Sequence, residues 1–425
     1  MNLYLEKFNS SIKNTLFEKL PSEIQEFIKE KSLKLKFTYQ EIRQIIDIAR
    51  DLSLWDEGNI IKIFPEHGQK KVVFTQLKKA YEELRSKPNS YKDFELKNIP
   101  QEQKFNFKTE AKDGFGLGLC PVASQKTRCC NLLTLDAVES CGFDCSYCSI
   151  QSFYNQNTIT FDSNFADKLK NLNLEPNKTY HIGTGQASDS LMWGNREGIL
   201  DALFNFAKEN PNVILEFKTK SDNIKYFLEH DVPKNILCTW SLNTPTIIEN
   251  EEHLSASLDK RIKSARTLAD KGVKVGFHFH PIVHYEGYLD EYADVYKRLL
   301  NEFSTNEVAL VSFGTLTFIK PVIKQLRERD FKTKITQMSF VDASGKSSYP
   351  EDIKVEMFKH AYESFKAWHP NGTSLGAHKE TFFYLCMEEH EMWAKCFGYQ
   401  YSTNNDFERA MLGSYTKKLD MEFFL

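Results

Sequence analysis

Apolar residues recur at three- and four-residue steps through EIQEFIKE, YQEIRQIIDIARDL and FTQLKKAYEELRSK, with charged residues between them. That spacing predicts amphipathic helices and makes residues 1–110 a helical N-terminal extension. It closes on the polar, proline-punctuated SKPNSYKDFELKNIPQEQ, which reads as a linker. The glycine-bearing DGFGLGLCPVASQKTRCC then leads into a different pattern. From about residue 131 to 318, short apolar runs alternate with amphipathic stretches. Strands are predicted at NLLTLDAV, KTYHIG, NVILEFKTK, NILCTWSLN, VKVGFHFH and EVALVSFG. Helices such as REGILDALFNFAKEN, SDNIKYFLEH, LDKRIKSARTLADKG and YLDEYADVYKRLLNEF lie between them. Repeated strand–helix units imply a parallel sheet with right-handed crossovers, and six of them suit a partial (β/α)6 barrel over residues 111–320. Residues 321–425 carry further helices and an aromatic-rich tail. They are expected to form an α-rich C-terminal cap that is a candidate for substrate contact.

Side chains alternate across a strand, so parity sorts each predicted strand into two faces. In NVILEFKTK one face holds Ile214, Glu216, Lys218 and Lys220, and the other Val213, Leu215, Phe217 and Thr219. In NILCTWSLN, Thr239, Ser241 and Asn243 oppose Ile236, Cys238, Trp240 and Leu242. In VKVGFHFH, Lys274, Gly276, His278 and His280 oppose Val273, Val275, Phe277 and Phe279. One apolar face per strand suits covering helices, while the polar face collects toward the strand C-termini, where such barrels place their sites. The barrel interior is therefore expected to line a site.

Length and composition change this picture little. A chain of 425 residues allows two or three domains, or one barrel with extensions. The 55 basic and 58 acidic residues leave a net charge of −3, which excludes a globally basic nucleic-acid coat but leaves room for a local groove. MNLYLEKFNSSIKN is no signal peptide, and no run approaches the roughly 20 apolar residues that span a bilayer. A cytoplasmic protein without membrane contact is expected.

Six of the nine cysteines lie between Cys120 and Cys148. In a chain without an export signal this points to metal or redox chemistry. Cys141, Cys145 and Cys148 form a C-x3-C-x2-C loop directly after a predicted strand. Three thiolates on so short a loop can bind three irons of a 4Fe–4S cluster and leave the fourth open to S-adenosylmethionine. A structural zinc site is the alternative, although it calls for a fourth ligand.

CGFDCSYCSIQ, HIGTGQASDSL, FKTKSDN, WSLN, LDKRIKSA and GFHFHPI together resemble the radical S-adenosylmethionine superfamily, and within it the spore photoproduct lyase family, over about residues 115–320. The resemblance implies a radical S-adenosylmethionine barrel and reductive cleavage of the cofactor to a 5′-deoxyadenosyl radical. It further implies a lyase-type reaction on a DNA lesion, with a flavodoxin or ferredoxin as electron donor. A modified nucleotide, a peptide or a small molecule is the alternative substrate, and a non-enzymatic iron–sulfur protein the third reading. The glycines of HIGTGQ, Gly183 and Gly185, would meet the cofactor's methionine amino group. Lys220, Ser241 and Asn243 would hold its carboxylate and ribose. Two positions depart from the family pattern. Gln186 stands where the repair members place a hydrogen-donating cysteine. Ser149 replaces one of two tyrosines around the third cluster cysteine, and Tyr147 keeps the other. Neither an amide nor a serine hydroxyl relays a hydrogen atom as a thiol or phenol does, so the radical return path is expected to differ.

Other residues carry competing readings. Cys120, Cys129 and Cys130 are a second metal site, redox thiols, or simply thiols near the barrel mouth; Cys238 and Cys386 are expected in the core. His278 and His280 are a hydrogen-bonded interior pair, substrate contacts or metal ligands, with no carboxylate neighbour foreseen. Lys320, Lys324, Arg327, Arg329, Lys332 and Lys334, with SQKTR opposite, suit either a nucleic-acid groove or a solvated basic helix. Asp189 and Trp193 either reach substrate or shape a turn.

Overall fold

In the computed structural model, residues 3–94, 104–113, 117–120, 126–154, 157–343, 345–369 and 381–424 are described. The central feature is one curled, eight-stranded half-barrel sheet. Its strands are β1 (Leu117–Leu119), β2 (Leu133–Leu135), β3 (Tyr180–Thr184), β4 (Val213–Thr219), β5 (Ile236–Ser241), β6 (Lys274–Ile282), β7 (Val308–Thr315) and β8 (Phe382–Leu385). They lie in the order β8-β7-β6-β5-β4-β3-β2-β1. All neighbours from β2 to β8 run parallel, and β1 alone pairs antiparallel, at the β2 edge.

The six strands expected from sequence are β2 to β7, and the expected partial barrel is the observed one. β1 and β8 are additions at its two edges. β8, the short FFYL, lies beyond the strand–helix repeat in a helix-rich tail, which explains why periodicity gave no sign of it. Between the strands run the expected helices, Ile199–Glu209, Lys225–Glu229, Leu258–Asp270 and Tyr288–Glu302. The odd-numbered residues of β4, Val213, Leu215 and Phe217, are fully buried, as are Ile236, Cys238 and Trp240 of β5.

The chain divides into two units. The half-barrel unit comprises Pro100–Val283, Gly287–Leu316 and Glu351–Leu425. The other comprises Met1–Ile99, His284–Glu286 and Thr317–Pro350. Residues 321–350 thus group with the N-terminal helices, and 351–425 with the barrel, rather than together as the expected cap.

The N-terminal unit is built on the predicted helices Ser22–Leu35, Tyr39–Trp55 and Lys70–Ser86, preceded by Leu3–Ile12. A capping box starts the second of these: Thr38 Oγ1 accepts from the Glu41 amide, and the Glu41 carboxylate accepts from the Thr38 amide. Ile42, Ile45, Ile46, Leu52, Trp55 and Leu77 form the centre of its core.

The basic stretch of this unit differs from a nucleic-acid groove. Arg327 donates to both oxygens of the buried Asp51 at 2.7 Å and to Asp47 at 3.2 Å. Lys332 pairs with Asp56 at 2.6 Å, and Lys334 with Glu57 at 2.9 Å. Arg329 stacks on Phe331. Only Lys320 and Lys324 of the six stand exposed, and Arg128 of SQKTR donates to the carbonyls of Tyr401 and Ser402 in the barrel unit. Asp47 and Asp51 on the helix Tyr39–Trp55, and Asp56 and Glu57 just past its end, absorb the charge that sequence displays as a basic run.

Asp51 also accepts from the Tyr81 hydroxyl at 2.5 Å. Asp51→Ala leaves the Tyr81 phenol without its acceptor and the buried side of Arg327 with only Asp47, and should cost about 3 kcal/mol in urea denaturation of the full chain. Asp51→Asn, which keeps one acceptor, should cost less.

Candidate active site

The polar faces of the strands meet inside the half-barrel as expected, and a carboxylate organises them. Glu216 of β4 is 3% exposed. Its Oε2 lies 2.7 Å from Nε2 of His181 on β3. Its Oε1 lies 2.7 Å from Nε2 of His278 on β6 and accepts from the Thr239 hydroxyl of β5, also at 2.7 Å. His278 Nδ1 is 2.6 Å from Ser312 Oγ on β7, and Ser312 Oγ is 2.9 Å from His280 Nε2. One proton assignment satisfies the whole chain: His280 Nε2–H donates to Ser312, Ser312 donates to His278 Nδ1, and both His278 and His181 donate from Nε2 to an ionised Glu216. The expectation that the histidine pair lacks a carboxylate neighbour is therefore corrected. The neighbour stands on the adjacent strand but one, and parity had already put it on the inward face.

Burial alone would raise the Glu216 carboxyl, but the hydrogen bonds and charges of His278 and His181 hold it well below its usual range. Burial, with the Lys218 charge second, pulls His278 down to about 4 and His280 well below its usual value. Both rings are neutral at pH 7.

A second buried carboxylate, unrecognised in the sequence, lies under the cysteine loop. Glu252 forms a fully buried ion pair with Arg261 at 2.6 Å and accepts from the Tyr147 hydroxyl and, at 3.3 Å, from Asn243 Nδ2. Asp144–Cys145 pairs antiparallel with Glu252–His253, which pins the loop to this network. Asn243 spends its amide internally: Nδ2 also donates to the Pro281 carbonyl at 3.0 Å, while Oδ1 accepts from Tyr292 and from the Thr244 amide. It braces strand ends rather than presenting a free group. Ser241 differs, since its hydroxyl has no hydrogen bond among the described residues while its carbonyl accepts from Arg261.

Cys141, Cys145 and Cys148 come together over this floor. Burial, then Asp189 and Cys148, raises Cys141 to about 12; burial chiefly raises Cys145, opposed by Lys220. Each thiol lies within electrostatic reach of another, and Lys220 within reach of Cys145 and Cys148. The Lys220 ammonium sits 5.6 Å above the centre of the Tyr147 ring. Burial works to lower its pKa, but the negative charge around it, that of the Glu252 carboxylate first, more than offsets this, so it stays charged.

Gly142 lets the loop close. A Cβ there would stand 2.3 Å from Met192 Cε and 2.8 Å from the Trp193 ring. Asp189 fixes that neighbouring turn, accepting from the amides of Leu191, Met192 and Lys220 and from the Thr219 hydroxyl at 2.7 to 3.0 Å. Trp193 donates to Ser188 Oγ at 3.0 Å. Both residues shape the turn. Gly185, at φ +86°, has the Lys218 carbonyl 2.7 Å from where a Cβ would lie, and Gly183 has the Leu132 side chain at 3.2 Å. Each glycine thus answers to packing of the strand ends, whatever else it meets.

Among the remaining cysteines, Cys238 is a buried core thiol, as expected. Cys386 is not: it is half-buried at the end of β8, in electrostatic reach of Cys120, Cys129 and Lys218. Cys129 and Cys130 hydrogen-bond, and that bond draws Cys129 down to about 6. Gln186 Nε2 lies 3.6 Å from Cys120 Sγ. Among the described residues, no group of three or more His, Cys, Asp or Glu side chains is arranged around a single metal ion. A cluster that takes one thiolate per iron makes no such demand.

A parallel half-barrel with a C-x3-C-x2-C loop beside the C-terminal ends of its strands defines a class, the radical S-adenosylmethionine barrels. Within it, the family model described as spore photoproduct lyase matches residues 64–349, and the chain belongs to that family. A spore photoproduct lyase of Clostridium acetobutylicum is 26% identical over 180 residues, 41% of this chain and 53% of that protein. One from a Geobacillus species is 23% identical over 202 residues, 46% of this chain and 59% of that protein. The chain thus spans little more than half the length of these curated relatives. Among solved structures, a spore photoproduct lyase mutant with bound AdoMet and dinucleoside spore photoproduct aligns at a TM-score of 0.53 and 17% identity, over 68% of this chain and 87% of that one. That likeness shows the shared fold. No helix among the described residues is long and apolar enough to cross a membrane.

The neutral histidines give the site a pH signature. In the unfolded chain a histidine takes up its proton near pH 6.5, whereas folded His278 refuses it until about pH 4. Its contribution is therefore complete above pH 6.5 and is lost as pH falls through that window, by on the order of 3 kcal/mol. Glu216, His181, His280 and Lys218 face it, and protonation of Glu216 continues the loss at lower pH. Urea denaturation at pH 7.5 and 5.0 should show the fall. His278→Gln should be less stable at pH 7.5 and flatter between the two.

Proposed function

We propose that the protein is a radical S-adenosylmethionine enzyme of lyase type, acting on a nucleotide or DNA lesion. The observation that carries this reading is the gathering of Cys141, Cys145 and Cys148 beside the charged Lys220, at the C-terminal ends of parallel strands. The site's chemistry fits a cluster. Three thiols on one short loop, with Cys141 and Cys145 kept protonated by burial, are good sulfur donors once a metal displaces their protons, and Lys220 and Arg261 offset the charge left behind.

In this reading Cys141, Cys145 and Cys148 hold a 4Fe–4S cluster. Gly183 and Gly185, Lys220 and Ser241 receive S-adenosylmethionine. Together these groups, when bound, supply a 5′-deoxyadenosyl radical that takes hydrogen from substrate. The protein's share is placement. Lys220 meets the cofactor carboxylate as a preformed ammonium, held by its backbone bond to Asp189 and balanced by Glu252. Ser241 offers the free hydroxyl of that wall. Tyr147 fixes Glu252 from within the cysteine loop, a positioning role in place of a free phenol. His278 and His280 face the chamber, with His280 the half-buried outer member. The bound dinucleoside photoproduct in solved relatives supports a nucleotide substrate. Gln186 and Ser149 favour a second reading, a non-DNA substrate with a different hydrogen-return route. A flavodoxin or ferredoxin would supply electrons, and the cytoplasm would be the setting.

Anaerobic reconstitution should give a brown protein with about four irons per chain, and Cys145→Ala should lose both colour and 5′-deoxyadenosine formation. A colourless protein holding one zinc would overturn the reading. Lys220→Ala should keep the iron but weaken S-adenosylmethionine binding by about 2–5 kcal/mol in a titration.

A further inference from the structure

The barrel lining contains a cation with no assigned work. Lys218 shares the inward face of β4 with Glu216 and Lys220, and its side chain is half-buried. Among the described residues its ammonium has neither hydrogen bond nor ion pair. Glu216, two positions back, is already committed: its oxygens serve His181, His278 and Thr239. Lys220, two positions on, has Glu252 to balance it. Lys218 has no such partner, and the groups on which its charge acts are His278, His280 and Cys386. The two rings are neutral, and burial raises the Cys386 thiol to about 12. A cation drawn part-way out of water without an opposite charge is costly, and such an arrangement persists where a ligand supplies the charge.

The second element is the outer ring of the histidine chain. With Nε2–H donated to Ser312, His280 keeps Nδ1 uncommitted. Gly314 makes room for that ring: a Cβ there would lie 3.2 Å from His280 Cδ2. Thus an imidazole held by a hydrogen-bonded chain and an ammonium whose charge reaches it line the same inward face of the half-barrel.

We propose that Lys218 and His280 form an anion subsite that receives a phosphate group of a nucleotide substrate. It rests on the proposed function only for the nucleotide that carries the anion. Lys218 supplies the charge as a compact point donor. A phosphate oxygen beside the ring would favour the imidazolium, whose Nδ1–H becomes a second donor, so binding should take up a proton.

The test uses the full chain without cluster, titrated by calorimetry with thymidine 5′-monophosphate, thymidine and inorganic phosphate at pH 7 in two buffers of different ionisation heat. The nucleotide should bind at least tenfold more tightly than the nucleoside, with proton uptake, and inorganic phosphate should compete with it. Lys218→Gln should erase the tenfold preference and Lys218→Arg should keep most of it. His280→Gln should abolish proton uptake and reduce the preference, which keeps the test decisive if Lys218→Gln fails to fold. Equal binding of nucleotide and nucleoside, binding of neither, or a preference intact in Lys218→Gln would overturn the subsite. Failure of the radical reading would instead appear as absent iron uptake and absent S-adenosylmethionine binding, whatever the phosphate preference.

Discussion

The barrel rests on an ionised carboxylate in its interior. Glu216 is almost wholly removed from water, and a bare carboxylate there would be protonated or expelled. It stays charged because three strands deliver donors to it: His181 from β3, Thr239 from β5 and His278 from β6, with β7 joined through Ser312. That requirement is also a register constraint. A one-residue slip of any of these strands would turn its donor to the helix side and leave Glu216 short of a partner. Apolar packing favours the half-barrel in general. The Glu216 set selects one alignment of five strands within it.

The same device recurs nearer the rim with a different result. Asp189 gathers backbone amides from two chain segments and so fixes where β4 ends. Glu252 joins Arg261, Tyr147 and Asn243, and through its strand pairing steadies the cysteine loop. Loops at a barrel mouth have few strand hydrogen bonds to hold them, and buried carboxylates with several donors replace those bonds. Asn243, expected from sequence at the cofactor, and Tyr147, expected in the hydrogen-atom relay, both spend their polar groups holding neighbouring groups in place.

Much of this was legible. The period-2 pattern placed β2 to β7, and parity separated the Cys238 face from the Thr239 face correctly. The cysteine spacing singled out the loop that the structure sets beside Lys220. What sequence concealed was pairing at long range. Glu216 stood in plain view on the inward face, but its bonds to His181, 35 residues earlier, and to His278, 62 residues later, depend on strand order. Glu252 lay in the acidic IIENEEH, where nothing marks any of the three glutamates as buried. Arg327 and Lys334 looked like a basic surface because their carboxylate partners lie some 280 residues away in sequence, at Asp51 and Glu57. β8 escaped because four residues are too few to show a period.

The three charged residues at alternate positions of β4 show how one strand changes character along its length. Glu216, deepest, is closed by donors from three strands. Lys218, in the middle, is half-buried with no hydrogen bond or ion pair among the described residues. Lys220, at the rim, has its charge balanced by Glu252 while its ammonium makes no hydrogen bond among the described residues. Spacing by two puts all three on one face, and the parallel neighbours decide what each meets. The Glu216 carboxylate on the floor is thereby fully engaged, and charged groups without hydrogen bonds among the described residues lie above it, where a ligand could use them. An interior of branched apolar residues would stabilise the barrel as well, but it would leave no groups to orient a polar ligand. The polar interior is tolerable because its deepest charge is fully satisfied, and that satisfaction is what allows the two lysines above it to remain open.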